Sequence, residues 1–365
     1  MLSYTSYYPS QAVTIALDAT PLAISTGGIR RYTLELAQAL SREFPQDQYW
    51  LLSDQRFPFP ANCAANLHCG AGPQTAMERR WWLWGLEQEM SRRKVDLFHG
   101  TDFSVPYLSR RPGVMTLHDL SPWLCDSWQP DAARVRSRTP VLLRLGAARM
   151  VITPSEAVRR AAIDRFHLHP DRIVAVPLAA NPHFQRVETN PERPYFLFVG
   201  TMEPRKNIAL LIDAWRQVRQ TSEVDLMLAG RVRSDFTTPA PEPGLRVLGA
   251  VADADLPGLY SGALACVYPS RYEGFGLPVL EAMQCGAVVI ASRDPAIMEV
   301  SGGAAIHVEA WDRHALAEAM RAVASDPQKF EPLRKRALVR ARDFSWRRTA
   351  RLTHEVYEAA RRSKT

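Results

Sequence analysis

Residues 264–292, LACVYPSRYEGFGLPVLEAMQCGAVVIAS, read as strand, glycine loop, helix and strand. LACVYPS and AVVIAS are short, almost wholly apolar runs, as expected of strands buried on both faces of a parallel sheet. Between them, Gly274 and Gly276 let the backbone approach a ligand closely, and Pro278 suits the first turn of a helix. The spacing places Glu273 in the loop and Glu281 in that first turn, so two carboxylates come to one strand end. They flank a ring of N–H groups at a helix N-terminus, which holds a negatively charged group.

The same alternation runs outward in both directions. Upstream stand VTIALDA, the helix IRRYTLELAQALSREF, then VDLFHG, GVMTLHD, MVITPS and the helix EAVRRAAIDRF. Residues 180–194, ANPHFQRVETNPERP, interrupt it with three prolines and two asparagines and read as a linker. The rhythm restarts with YFLFVG, NIALLIDAWRQVRQ, DLMLAG, LRVLGA and DLPGLYSGA, and ends with AAIHVE. The fold class is therefore α/β, with two Rossmann-like doubly wound domains facing an interdomain cleft. Their bounds are 1–185 and 194–344. The helix at 345–365 carries Trp346, Ala350, Thr353, Val356, Tyr357 and Ala360 as one apolar stripe and returns to complete the first domain.

A chain of 365 residues suits two cores, and 46% apolar with 23% charged residues is a globular composition. The net charge of +7 is carried by residues 331–365, where eleven Lys/Arg meet four Asp/Glu. One basic face, rather than a surface that coats nucleic acid, follows from that concentration. The five cysteines are scattered and form no C-x-x-C pair, and the N-terminus has neither a basic leader nor a long apolar run. A reducing, cytoplasmic location is expected.

A second loop repeats the chemistry of the first. FVGTMEPRKNIALLIDAW passes from a strand through Gly200 to Arg205 and Lys206 and opens a helix at Asn207. Two cations at a strand end beside a helix N-terminus favour a pyrophosphate, whereas a solvated turn would explain Lys206 alone. Carboxylates for sugar hydroxyls together with N–H groups and cations for phosphate suggest a nucleotide sugar. In STGGIRRY, Gly27 and Gly28 open a helix without the dinucleotide fingerprint G-x-G-x-x-G. GVMTLHDLSPW brings His118 to a strand end, where an imidazole could bond a sugar hydroxyl or move a proton. Asp253 and Asp255 mimic a metal-binding D-x-D, but Asp255 directly precedes LPGLY and reads as a helix N-cap. No metal or cofactor is expected.

E-G-F-G-L-P-x-x-E, with F-V-G-x-x-x-x-R-K-N upstream, G-G-x-R-R-Y early and T-x-H-D in the first half, resembles the retaining glycosyltransferases of family 4, which have the GT-B fold. The resemblance implies that Glu273 and His118 meet the donor sugar, Glu281 the ribose, and Arg205 and Lys206 the departing diphosphate. It further implies that the N–H groups from Gly274 through Phe275 and Gly276 to Leu277 assist, and that Gly28 and Gly200 leave room for the donor. Front-face substitution without a covalent nucleophile or metal is the mechanism implied. DATPLAISTGGIRRY and SRDPAIMEV are similar to bacterial transferases of polysaccharide and lipopolysaccharide assembly, many using GDP-mannose. A glycan or lipid-linked acceptor is then expected, and no nucleic acid.

MERRWWLWGLEQEMSRRK, residues 77–94, reads as a helix with Trp81, Trp84 and Met90 among apolar positions and arginines at both ends. Two readings stand: tryptophans packed on the first sheet, or a basic, aromatic face docking on an anionic inner membrane. A glycoside hydrolase also needs two carboxylates, but not the basic pair or glycine-loop helix ends.

Overall fold

The protein was analysed as a computed structural model, which describes residues 12–24, 27–59 and 63–362. The first sheet holds β1 (Thr14–Asp18), β2 (Gln48–Leu52), β3 (Leu67–Cys69), β4 (Leu97–Gly100), β5 (Gly113–Thr116), β6 (Met150–Thr153) and β7 (Ile173–Ala175). Their order is β3-β2-β1-β4-β5-β6-β7. The second holds β8 (Tyr195–Val199), β9 (Asp225–Ala229), β10 (Leu245–Gly249), β11 (Ala265–Tyr268), β12 (Val289–Ser292) and β13 (Ile306–Val308), in the order β10-β9-β8-β11-β12-β13. All its pairings are parallel. In both sheets the chain reverses its direction of travel once, between β1 and β4 and between β8 and β11. Doubly wound sheets bind ligands at the carboxyl ends of the strands beside such a reversal.

The helices of the first half are α1 (Gly28–Glu43), α2 (Leu86–Arg92), α3 (Ser121–Leu124), α4 (Ala133–Arg144) and α5 (Glu156–Phe166). Those of the second are α6 (Ile208–Arg219), α7 (Leu256–Gly262), α8 (Leu277–Gln284), α9 (Pro295–Ser301) and α10 (Arg313–Ser325), followed by α11 (Glu331–Ala341) and α12 (Trp346–Arg362). Strands β4, β5, β6, β8, β9, β11 and β12 are buried at every position, as their unbroken apolar runs require. The pattern reading missed β2, β3 and β7. The last two are three residues long, and β2 starts on an exposed Gln48, so none shows a long apolar run.

The chain forms two compact units: unit 1 comprises 1–116, 141–151 and 350–365, and unit 2 comprises 117–140 and 152–349. The division does not fall at 185–194. The linker at 180–194 is irregular but held inside unit 2, where Phe184 is fully buried against Tyr260 and the Asn181 carbonyl accepts from Gln284. Segments 117–140 and 152–180 also belong to unit 2, through hydrogen bonds to loops of the second sheet described below.

In unit 1, Ala37, Leu36 and Leu40 of α1 are buried, and the Tyr32 hydroxyl bonds that of Thr116 at 2.8 Å. Residues 77–94 are not one helix. A wide π-type turn, Trp81–Gly85, precedes α2, and Gly85 lies so near the Glu78 carbonyl that a Cβ would sit 2.1 Å from its oxygen. Residues 77–80 thus fold onto the turn instead of extending it. Trp81 and Met90 are core, whereas Trp84 is 51% exposed beside exposed Met77 and Leu83.

All six stripe residues of α12 are buried. Within unit 1, the Tyr357 hydroxyl bonds His99 Nδ1 at 2.7 Å, and Thr116 bonds the other ring nitrogen at 2.8 Å. His354 stacks on Phe44 and meets Asp47 at 2.9 Å. Tyr357→Phe deprives His99 of one buried partner and is expected to cost about 1–3 kcal/mol in urea unfolding. An unchanged midpoint would show that the bond contributes nothing.

Candidate active site

The site is built at the reversal of the second sheet, from the loops after β8 and β11. After β8 the chain passes Gly200, crosses Pro204–Lys206 as a single 3-10 turn, and enters α6 from Asn207. Asn207 has φ 61°, and its side-chain amide donates to the Ala310 and Pro269 carbonyls at 2.6 and 3.3 Å, which fixes the turn. After β11 the loop runs to Gly276, whose φ of 95° suits glycine and delivers the chain into α8. In the first turn of α8, Pro278 has no N–H, and those of Val279 and Leu280 bond the Gly276 carbonyl at 3.0 and 3.2 Å. A direct bond from the Arg271 N–H to the Arg205 carbonyl, 2.8 Å, ties the two loops together.

Three predicted residues meet here. Glu273 takes Lys206 Nζ on one carboxylate oxygen at 2.5 Å and Arg205 Nη1 on the other at 3.0 Å. Glu273 and Lys206 are each 6% exposed. Lys206 also donates to the Tyr268 hydroxyl at 2.7 Å, and Arg205 pairs with Glu203 at 2.7 Å and donates to the Tyr272 carbonyl. Burial opposes the charge on Glu273, but Lys206 and Arg205 more than offset it and push the carboxyl down to about 2. Burial and the charge of Arg205 press Lys206 below the ordinary lysine range, against the pull of Glu273. Asp294 accepts the Glu273 N–H at 3.2 Å and caps α9 through Ala296 and Ile297; burial raises it to about 6.

Gly274 packs on the backbone of His118: a Cβ there would lie 2.0 Å from the His118 carbonyl oxygen. The Gly274 carbonyl accepts the Ser155 hydroxyl at 2.8 Å, and Ser155 is also the N-cap of α5. The half-buried His118 is therefore held, through its backbone, against the glycine loop. Phe275 is buried edge-on to Phe344, and Leu277 opens α8 half-buried. Gly230 presses on Gly200, where a Cβ would stand 2.0 Å from the Gly200 oxygen.

Glu281 differs from its expected place. It is the fifth residue of α8, beyond the first turn, only 1% exposed, and takes the Tyr260 hydroxyl at 3.0 Å. Pro278 stands second in the helix, within its first turn as expected. Gly28 belongs to unit 1, where it opens α1 with nothing within 4 Å of a Cβ; Ser25 and Thr26 lie outside the described residues. Asp255 occupies the N-cap position of α7 without a side-chain capping bond. Among the described residues, no three of His, Cys, Asp or Glu are grouped as a metal would need. Sequence reasoning missed Glu203, Tyr268, Tyr272 and Asp294. Of these, Glu203 and Tyr272 stand beside motif residues, but only the fold turns them into the site.

Two family models match consecutive parts of the chain: Glycosyltransferase Family 4 over residues 26–184 and Glycosyl transferases group 1 over residues 193–326. The chain is 31% identical to the O-antigen chain mannosyltransferase B of Escherichia coli, over 94% of this chain and 99% of that protein. It belongs to glycosyltransferase family 4. Among solved structures, a sucrose-phosphate synthase from Thermosynechococcus elongatus superposes with a TM-score of 0.74 at 22% identity, covering 95% of this chain and 98% of that one. An Anabaena protein, HepE, in complex with UDP and glucose, gives 0.69 at 17%, covering 95% and 100%. These two likenesses are of fold, and the fold of this family 4 chain is GT-B.

Glu273→Gln leaves two buried cations short of a counter-charge, and should destabilise this glycosyltransferase by about 3–5 kcal/mol at neutral pH. Because the folded carboxyl sits near 2 and its ordinary value is 4.5, its contribution is present above 4.5 and is lost as pH falls through 2. The gap between wild type and variant in urea unfolding should therefore narrow from pH 5 to pH 3 (about two units of acidification). A gap that stays constant with pH would show that Glu273 is not held ionised by the pair.

Proposed function

We propose that this family 4 chain transfers mannose from GDP-mannose, with retention of configuration and without a metal, to a lipid-linked glycan in cell-surface polysaccharide assembly. The observation that carries the reading is the Glu273 carboxylate held between Lys206 and Arg205 beside the glycine-loop start of α8. It sets a sugar-hydroxyl acceptor, two cations and helix N–H groups within one loop pair. The name of the E. coli relative, a mannosyltransferase of O-antigen chains, supports the sugar and the acceptor class.

In this reading the sugar lies against Glu273 and His118, the ribose against Glu281, and the diphosphate on Arg205, Lys206 and the N–H groups of residues 274–277, with Gly200 leaving room for the donor. The acceptor hydroxyl bonds the anomeric carbon as the bond to the diphosphate breaks on the same face. Its proton leaves on the diphosphate, whose growing charge the two cations stabilise. Those cations already hold Glu273, so the arriving diphosphate competes with the carboxylate for them and frees it for the sugar.

Arg205→Ala or Lys206→Ala should lower GDP-mannose turnover by about 10²-fold, and EDTA should leave the wild-type rate unchanged. NMR of the product should show an α linkage from the α donor. Loss of activity in EDTA, restored by Mn²⁺, would refute metal independence; an inverted linkage would refute retention; turnover of UDP-sugars alone would refute the donor.

The enzyme would work on the cytoplasmic face of the inner membrane, docked through exposed Met77, Leu83 and Trp84 with Arg79 and Arg80. Apolar side chains beside arginines suit a boundary of anionic headgroups. No helix among the described residues is long and apolar enough to cross a membrane. Flotation should recover the protein with anionic vesicles at low salt, less at high salt, and not with neutral ones. Failure to bind anionic vesicles would exclude the docking.

A further inference from the structure

Arg233, four residues beyond β9, lies outside every motif above, yet its guanidinium makes polar contacts with four residues. Its guanidinium forks onto two successive carbonyls, Nη1 to Trp128 at 2.6 Å and Nη2 to Ser127 at 2.7 Å. It also pairs with Asp235 at 2.5 Å and with Glu203 at 3.3 Å. The held turn, Asp126–Trp128, stacks its tryptophan on Tyr272, with ring centres 5.9 Å apart and planes 15° from parallel. Tyr272 precedes Glu273, its hydroxyl accepts the Leu120 N–H at 2.7 Å, and its carbonyl accepts from Arg205. Segment 119–128 is therefore fastened beside Glu273 at three points, and all three lie in unit 2.

Glu203 connects this fastening to the phosphate cations. It is buried and shared, one oxygen near Arg205 and the other near Arg233. Charges alternate along Asp235, Arg233, Glu203, Arg205, Glu273 and Lys206. A planar fork with several fixed donors suits two adjacent carbonyls and a carboxylate at once; an ammonium does not.

We propose that Arg233 is a positioning residue that latches the Ser127–Trp128 turn over Tyr272 and keeps water from the sugar carbon held beside Glu273. The proposal rests on the donor-site reading above. Transfer and hydrolysis differ only in the oxygen that attacks the anomeric carbon. When water attacks, the carbon–oxygen bond to the diphosphate breaks, one water proton ends on the diphosphate, and free sugar and nucleoside diphosphate result. A loosened latch should favour this outcome over transfer.

The test uses the full chain as wild type, Arg233→Ala, Arg233→Lys and Arg216→Ala. Arg216 makes a similar fork, to Glu242 on the surface, and serves as control. In ligand-free protein, hydrogen exchange at Leu120 and residues 126–129 should quicken by about tenfold in Arg233→Ala and not in Arg216→Ala. Unchanged exchange there overturns the latch whatever the protein turns over. With GDP-mannose and octyl α-mannoside, the ratio of hydrolysis to transfer should rise about fivefold in Arg233→Ala and nearly as much in Arg233→Lys. Equal losses in both reactions would overturn the role in excluding water. A wild type that turns over no nucleotide sugar would refute the donor-site reading instead, and the exchange result would still decide whether Arg233 latches the turn.

Discussion

The site depends on one buried ion cluster, Glu273 between Lys206 and Arg205. Taking three charges out of water is costly, and such a cluster persists only if its members are also hydrogen-bonded. Here Tyr268 receives Lys206, the Tyr272 carbonyl receives Arg205, and Glu203 supplies the second anion. Two cations against two carboxylates leave the cluster close to neutral.

The cluster sits where it does because of sheet topology. The reversal between β8 and β11 leaves a crevice at their carboxyl ends, and both loops that flank it carry the charged residues. Glycines let these loops come close. At Gly274 the His118 backbone occupies the place of a side chain, and at Gly230 the Gly200 backbone does. Even alanine would collide with a carbonyl oxygen at either position. The α5 start is drawn to the same place, with Ser155 on the Gly274 carbonyl and the Glu299 carboxylate on the N–H groups of Glu156 and Ala157. Glu299 thus neutralises a helix N-terminus that would otherwise seek another anion.

Much was legible in the residues alone. The buried parallel strands announce themselves as unbroken apolar runs, and the α12 stripe by its spacing of three and four, because burial on both faces or on one face leaves that mark in the order of residues. The place of Glu273, Arg205 and Lys206 in loops after strands was legible for a related reason: each follows closely on an apolar run that reads as a buried strand. The short β3 and β7 were not, since three residues carry too little pattern. Nor was the break of the 77–94 helix, which arises from the Glu78 backbone meeting Gly85.

The sequence by itself determined the two α/β sheets, their strand-end loops and the residue types brought there, because these follow from local periodicity and from the stereochemistry of glycine and proline. Tertiary structure alone decided which charges pair. Glu273 and Lys206 are far apart along the chain, and nothing local predicts that the carboxylate faces the cations and not solvent. The same holds for Glu281, turned onto Tyr260, for Arg233, fastened to the backbone of residues 127 and 128, and for segments 117–140 and 152–180, which join unit 2 although the first follows β5 and the second holds the end of β6 and all of β7. Side-chain pairing across loops depends on register and packing between elements, and a linear pattern does not encode that distance.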